Sequence, residues 1–330
     1  MRKTVCATLA VMMSVLFSPL SQAGQAWESY KARFFKPEGR IVDTGNGGVS
    51  HTEGQGFAML MAVANDDKAT FDKLWQWTNR ELKNKENGLF YWRYNPAESN
   101  PVADKNNAAD GDVLIAWALL KADARWHEKR YGAASDAITK ALVAHSVIRY
   151  AGYRVMLPGV QGFKLDGEAI LNPSYFVFPA WQAFAGRSHL PVWRDLIKDG
   201  KRLLGKMGSG KADLPADWVS LASDGKLEPA KGWPPRMSYD AIRIPLYLAW
   251  SDKQSPLLAP WKAWFGQFPR EQTPAWVNVM TNEYAPYMME GGLLAVRDLT
   301  MGQSSGEPEI TSKDDYYSAS LKMLAWISAQ

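Results

Sequence analysis

The sequence predicts one all-α domain whose helices pair into hairpins and close into a toroid. Helix-period apolar stretches recur from residue 26 to residue 327, roughly eleven or twelve of them, mostly paired. No persistent β-rich region or composition break divides the 330 residues. No fixed-period repeat marks an α-solenoid, which leaves a closed ring of about six hairpins as the better solution. A ring also gathers the ends of its inner helices around a central cleft.

The elements follow in order. Residues 26–35 form a short amphipathic helix ended by Lys36-Pro37-Glu38-Gly39. After a turn-rich stretch, Phe57, Leu60, Met61 and Ala64 have i, i+3, i+4, i+7 spacing and place a helix in residues 50–66. Residues 67–82 give a clearer helix, broken at Asn87-Gly88 and followed by an aromatic segment, 88–95, of strand or extended character. A helix from about residue 109 to Trp126 pairs with one over 131–144, and 152–162 has local strand character. Helices are expected over 171–185, with Pro173 suited to a first turn, and over 190–206. Residues 208–235 read as a long loop with one short helix near Asp217-Trp218. Helices over 239–250, 256–268, 291–301 and 314–327 complete the chain.

The first 23 residues read as a cleaved export leader: Arg2 and Lys3, an apolar run from 5 to 17, then Ser21-Gln22-Ala23. The run is too short for a permanent membrane anchor. A single domain over 24–330 then remains, in the periplasm or the medium. Its formal charge falls from +4 to +2 once Arg2 and Lys3 are removed, and no Lys/Arg run marks a nucleic-acid partner. The sole cysteine, Cys6, lies in the leader, so the exported chain has no disulfide, cysteine nucleophile or cysteine-based metal site. Its 15 Trp, 13 Tyr and 12 Phe exceed the needs of a core of this size. Aromatic faces stack on sugar rings, so the excess points toward carbohydrate.

Three helix starts carry acids. Asp110 and Asp112 sit one glycine apart in a first helical turn, at the solvent-facing end of a buried element. The helix macrodipole favours anions there, so capping alone would explain them. Residues i and i+2 diverge, which turns one acid to the cleft and the other inward; Asp110 is the cleft candidate because Asp112 lies deeper. In Ser50-His51-Thr52-Glu53-Gly54-Gln55-Gly56, Ser50 and Glu53 have capping-box spacing. Against that reading, the two glycines clear space for a substrate, and the apolar residues behind Glu53 would raise its pKa as a general acid requires. In Ser238-Tyr239-Asp240-Ala241-Ile242-Arg243, Ser238 can cap the helix and Arg243 lies on the face of Asp240. The arginine would keep the aspartate ionised, as a base needs; an ordinary surface ion pair gives the same spacing. A protonated Glu and ionised Asp residues across an aromatic cleft are the requirements of glycoside hydrolysis.

Ala109-Asp110-Gly111-Asp112 with Ile115-Ala116 and Trp126 resembles the signature of glycoside hydrolase family 8. So do Thr52-Glu53-Gly54-Gln55-Gly56, Asn172-Pro173-Ser174-Tyr175 and Ser238-Tyr239-Asp240-Ala241-Ile242-Arg243. The similarity runs from about Trp27 to the last helix and is greatest to the endoglucanase Y type, a group that includes the periplasmic cellulase of cellulose-synthesis systems. The resemblance implies an (α/α)6 barrel with a few short strands in loops and inverting hydrolysis of β-1,4-glucan, without metal or organic cofactor. It also implies a functional link to cellulose-synthase machinery. Motif by motif, Glu53 matches the proton donor and Asp240 the base. Asp110 matches an acid that binds and stabilises the sugar at the cleavage site. Trp92, Tyr175, Tyr239, Arg243, Asp112 and Tyr316 stand as substrate contacts, with Tyr317 beside Tyr316. Xylan, chitosan or mixed-linkage glucan would keep fold and mechanism and change only the pocket, and a non-catalytic glucan-binding component would need none of the acids. A lyase would want a Tyr or His base and a basic cleft.

Overall fold

A computed structural model describes residues 24–303 and 306–330. The leader expected over 1–23 lies outside them. Among the described residues eleven α-helices form: α1 (Gln25–Phe34), α2 (Thr52–Ala64), α3 (Lys68–Glu81), α4 (Ala109–Trp126), α5 (Lys129–His145), α6 (Phe178–Ser188), α7 (Pro191–Leu204), α8 (Arg243–Ser251), α9 (Ala259–Phe265), α10 (Gly291–Thr300) and α11 (Tyr316–Ala329). Neighbour packing closes a ring in the order α2, α4, α6, α8, α10, α11 and back to α2. The other five lie outside it: α1 packs on α11, α3 on α2, α5 on α4, α7 on α6 and α9 on α10. Six inner and five outer helices make an (α/α)6 barrel. None of the described helices is long and apolar enough to cross a membrane.

Inner and outer helices differ in pattern because they differ in burial. On α7, Trp193, Leu196, Asp199, Gly200, Leu203 and Leu204 line one buried stripe and the opposite face meets water, the amphipathic pattern of a surface helix. On α2 every residue from Phe57 to Val63 is buried, and α4 is buried from Ala109 through Leu119. The single stripe expected for residues 50–66 is therefore a continuous apolar surface, and Ala64 is exposed. The glycines of α2 do not clear space for a substrate as expected. A methyl on Gly56 would sit 2.5 Å from Leu114 Cβ, and one on Gly54 would sit 2.8 Å from the Tyr316 hydroxyl. Opposite them, a methyl on Gly111 would fall 2.0 Å from Thr52 Oγ1. Gly56 and Gly111 let α2 and α4 approach until their acid-bearing first turns adjoin, and Gly54 makes room for Tyr316 of α11.

Among the described residues nine short strands form four small antiparallel sheets. β1 (Ser50–His51) pairs with β2 (Arg93–Tyr94), aligning His51 with Arg93. β3 (Val147–Tyr150) and β4 (Tyr153–Met156) make a hairpin. β5 (Glu168–Leu171), β6 (Val219–Ala222) and β7 (Leu227–Pro229) form a three-stranded sheet, and β8 (Arg236–Met237) pairs with β9 (Val277–Asn278). The segment read as loop with a short helix near Asp217 thus holds two strands instead. Three sheets lead the chain into the ring: β1 into α2, β5 through a 3-10 turn at Pro173–Tyr175 toward α6, and β8 through residues 238–242 into α8.

Candidate active site

The first turns of α2, α4 and α8 meet at one guanidinium. Arg243, the first residue of α8, is 2 % exposed. Its Nη1 pairs with Glu53 of α2 and lies 3.7 Å from Asp110 Oδ2 of α4. Its Nη2 donates to Asp240 Oδ1 at 2.7 Å and to Ser174 Oγ at 2.9 Å. Ser174 is held in turn by Asn172, whose Oδ1 accepts from the Ser174 hydroxyl at 2.6 Å and from its amide at 3.0 Å. The Asp240–Arg243 pair is therefore not an ordinary surface ion pair. One buried cation gathers three carboxylates, two from the first turns of α2 and α4 and one from the turn before α8.

Each acid is presented differently from the sequence expectation. Glu53 is not part of a capping box. His51 caps α2, its Nδ1 accepting from the Gly54 amide at 3.2 Å, while Ser50 is a strand residue whose hydroxyl donates to the Ile41 carbonyl. Freed from capping, Glu53 reaches Arg243, and Tyr316 donates to its Oε1 at 3.4 Å. Its surroundings combine an apolar helix with a cation, not the purely apolar floor expected. Asp240 precedes α8 instead of sitting in its first turn, and α8 has no side-chain cap, so Ser238 does not cap it.

Burial works against the charged form of both cleft aspartates. Burial pushes Asp240 up to about 8, with Asp217 and Asp110 adding like-charge repulsion, although about a third of its side chain still meets solvent. Burial likewise pushes Asp110 up to about 7. Loss of bulk water is the largest cause at both groups. Arg243 does pair with Asp240 as expected, while burial acts against the charged form.

The two acids of α4 do diverge, but neither faces solvent as expected. Asp110 points toward Arg243, with only its edge exposed. Asp112 is fully buried and takes no part in the cleft, contrary to its place among the substrate contacts. It accepts from the Phe90 amide at 2.9 Å and from Asn107 Nδ2 at 2.7 Å, pinning the segment before α4 to that after α3. Burial raises it to about 8, with Lys83 opposing. Asp112→Ala strands both donors in a dry site and is expected to cost about 2–4 kcal/mol in urea unfolding. Wild-type stability would show that water replaces the carboxylate.

The aromatic candidates divide between the cleft and its supports. Tyr239 is 45 % exposed, its hydroxyl 3.4 Å from that of Tyr287. Tyr317 donates to the Tyr239 carbonyl. With Met288 and residues of α11 these rings border a cavity of about 460 Å³. Tyr175 is half-buried, 5.9 Å from the Arg243 guanidinium and edge-on to Trp218 at 6.2 Å. Trp218 stacks between Phe163 and Trp233 at 5.7 and 5.0 Å, leaving Trp233 partly exposed. Trp92, half-buried, donates from its indole to Asp104 at 2.7 Å, and its carbonyl receives the Thr52 amide beside Glu53. Tyr316 is buried behind Glu53 and edge-on to His51, a support for the acid and not a wall of the cleft. Sequence reasoning missed Asp217, Trp218, Trp233 and Tyr287, which lie in irregular segments without periodic signal.

The chain's whole length, residues 1–330, matches the family model described as glycosyl hydrolases family 8. An endoglucanase of Cellulomonas uda is 62 % identical over 303 residues, 92 % of this chain and 84 % of the relative. A probable endoglucanase of Novacetimonas hansenii is 40 % identical over 92 % of this chain and 90 % of its own. In three dimensions, a family 8 endoglucanase from Klebsiella pneumoniae superposes with a TM-score of 0.92 at 66 % identity, covering 93 % of this chain and 99 % of that one. The gathered acids, the aromatic cleft and these likenesses agree: the chain belongs to glycosyl hydrolase family 8.

Proposed function

We propose that the protein is an endo-β-1,4-glucanase that hydrolyses internal glucosidic bonds with inversion. The observation that carries the reading is the convergence of Glu53, Asp110 and Asp240 on Arg243 at the mouth of three inner helices. Endoglucanase relatives at 62 % and 40 % identity support the substrate class. Glu53 gives its proton to the glycosidic oxygen as the anomeric carbon–oxygen bond breaks. Asp240 takes a proton from the water whose oxygen forms the new bond from the opposite face. The sugar therefore leaves as the α-anomer, and the enzyme resets by exchanging protons with solvent. Asp110 stabilises the positive charge that builds on the ring in the oxocarbenium-like transition state. Tyr239, Trp92 and Trp233 offer stacking faces along the cleft. The leader-like first 23 residues support an exported enzyme, in the periplasm or the medium. The resemblance to the endoglucanase Y type supports a partnership with cellulose-synthesis machinery.

Proton NMR of cellopentaose during hydrolysis tests the reaction and its stereochemistry together. Release of α-anomeric product from the β-linkage is the expected result. Early β product would mean retention and would make Asp110 the candidate nucleophile. Binding of cellopentaose without cleavage would move the substrate to another polymer or the protein to a binding role.

A further inference from the structure

One carboxylate of the site has no place in that mechanism. Asp217 lies just before β6 and is largely withdrawn from solvent. Its Oδ1 accepts from the Ser238 amide at 2.9 Å and from the Ala241 amide at 2.8 Å, and its Oδ2 accepts from the Ser238 hydroxyl. Its own amide donates to the Arg236 carbonyl at 2.7 Å, one residue before Met237 and the turn. These donors bracket Asp240 on both sides. Within the turn, the Ile242 amide reaches the Ser238 carbonyl at 3.0 Å and the Arg243 amide reaches the Asp240 carbonyl at 3.0 Å. Since α8 begins without a side-chain cap of its own, the carboxylate that fixes this turn comes from 23 residues upstream.

We propose that Asp217 is the positioning residue of the base: it fixes the turn that aims Asp240 and places a second negative charge beside it. The inference rests on Asp240 being the base. The groups facing Asp240 are Arg243 at 2.7 Å, Asp110 across the same guanidinium, Asp217, and the phenols of Tyr175 and Tyr317; Glu53 shares the arginine. Asp217 faces Asp240, the Ser238 hydroxyl and Tyr317. Burial pushes Asp217 up, and its charge is among the causes that push Asp240 up. Two carboxylates so placed hold protons more tightly than either would alone, because ionising both is unfavourable. A base made stronger this way takes a proton from water more readily, while Asp217, saturated with protein donors, stays out of the reaction.

Hydrolysis of cellopentaose across pH, with thermal melts, is the test, using wild type, Asp217→Asn, Asp217→Ala and Asp240→Asn. Asp217→Asn keeps an oxygen for the two amides and loses the charge. Its acid limb of kcat/KM should move down by about one pH unit with the melt little changed. Asp217→Ala releases the turn; kcat should fall about 100-fold, with KM changed less than about 3-fold. An unmoved acid limb in Asp217→Asn, or wild-type kcat in Asp217→Ala, overturns the inference. If Asp217→Ala does not fold, the pH profile of Asp217→Asn decides alone. An Asp240→Asn variant with wild-type turnover would overturn the base assignment and this inference with it. A dead Asp240→Asn beside an unshifted Asp217→Asn sinks only the role of Asp217.

Discussion

Replacing Glu53 by Gln, or Asp240 by Asn, should lower kcat for cellopentaose about 10²–10⁴-fold, the range that a positioned proton donor or acceptor contributes. Each change keeps size and most hydrogen bonding and removes proton exchange together with one charge facing Arg243, so the melts should fall far less than on loss of the arginine. The two losses should differ in a way that assigns the roles. An aryl cellobioside with an acidic phenol leaves without needing a proton. On that substrate the Glu53→Gln defect should shrink to a small factor, whereas Asp240→Asn should stay nearly dead because water still needs a base. Equal rescue of both variants would refute the assignment. The wild-type pH profile carries the same information. Asp240 must be ionised to work, and burial with two like charges pushes it up to about 8. Its activity should therefore climb with pH through a limb lying well above the ordinary aspartate range near 4. An acid limb near 4 would mean that substrate or solvent restores an ordinary aspartate there.

The architecture was largely legible because burial writes itself into periodicity. Outer helices such as α7 carry a single apolar stripe, and most predicted helix bounds fall within a few residues of those observed. The exception is the helix expected over 171–185, where the end of β5 and a 3-10 turn at Pro173–Tyr175 come first and α6 begins only at Phe178. Where the structure differs, the cause is tertiary. Asp240 looked like a first-turn residue because Ser238 could cap a helix, but Asp217 takes the Ser238 hydroxyl and amide and delays α8 to Arg243. Ser50 and Glu53 had capping-box spacing, yet β1 pairs with β2 and hands the cap to His51. Nothing local could reveal either competitor. Gly54 and Gly56 looked like room for a ligand; the room is filled by Tyr316 and by Leu114 of α4. The site residues themselves were visible as motifs. Their charge states were not, because desolvation depends on what three other segments place around each acid. Asp110 and Asp112 show this most plainly, being two residues apart on one helix with one turned to the cleft and one locked to the Phe90 amide.

Removing the cation that joins the acids should give the largest combined loss. Arg243→Ala leaves Glu53, Asp110 and Asp240 facing one another with no positive charge among them, and frees Ser174 from its donor. Breaking a buried charge cluster in this way costs about 3–5 kcal/mol, and turnover should fall by at least about 10³-fold as acid and base lose their common reference. The pH dependence separates electrostatics from packing. Asp110 and Asp240 have folded pKa values of about 7 and about 8, above their unfolded values near 4. The folded state therefore binds more protons than the unfolded one between those limits. The contribution of these groups to stability is full below about pH 4, declines as pH rises, and is gone once pH has passed through the folded values of about 7 and about 8. Without Arg243 the two values rise further, so the variant can relieve repulsion by protonation at pH 5 but much less at pH 9. Its melting temperature should fall further below wild type at pH 9 than at pH 5. An equal gap at both would show that the arginine serves chiefly to fill space. Arg243→Lys completes the argument. A lysine restores one charge but not two nitrogens set at the guanidinium angle, so it should recover much of the stability at pH 9 while leaving kcat far below wild type. Recovery of both would mean that charge alone organises the site, and that the fork joining Glu53 to Asp240 is dispensable.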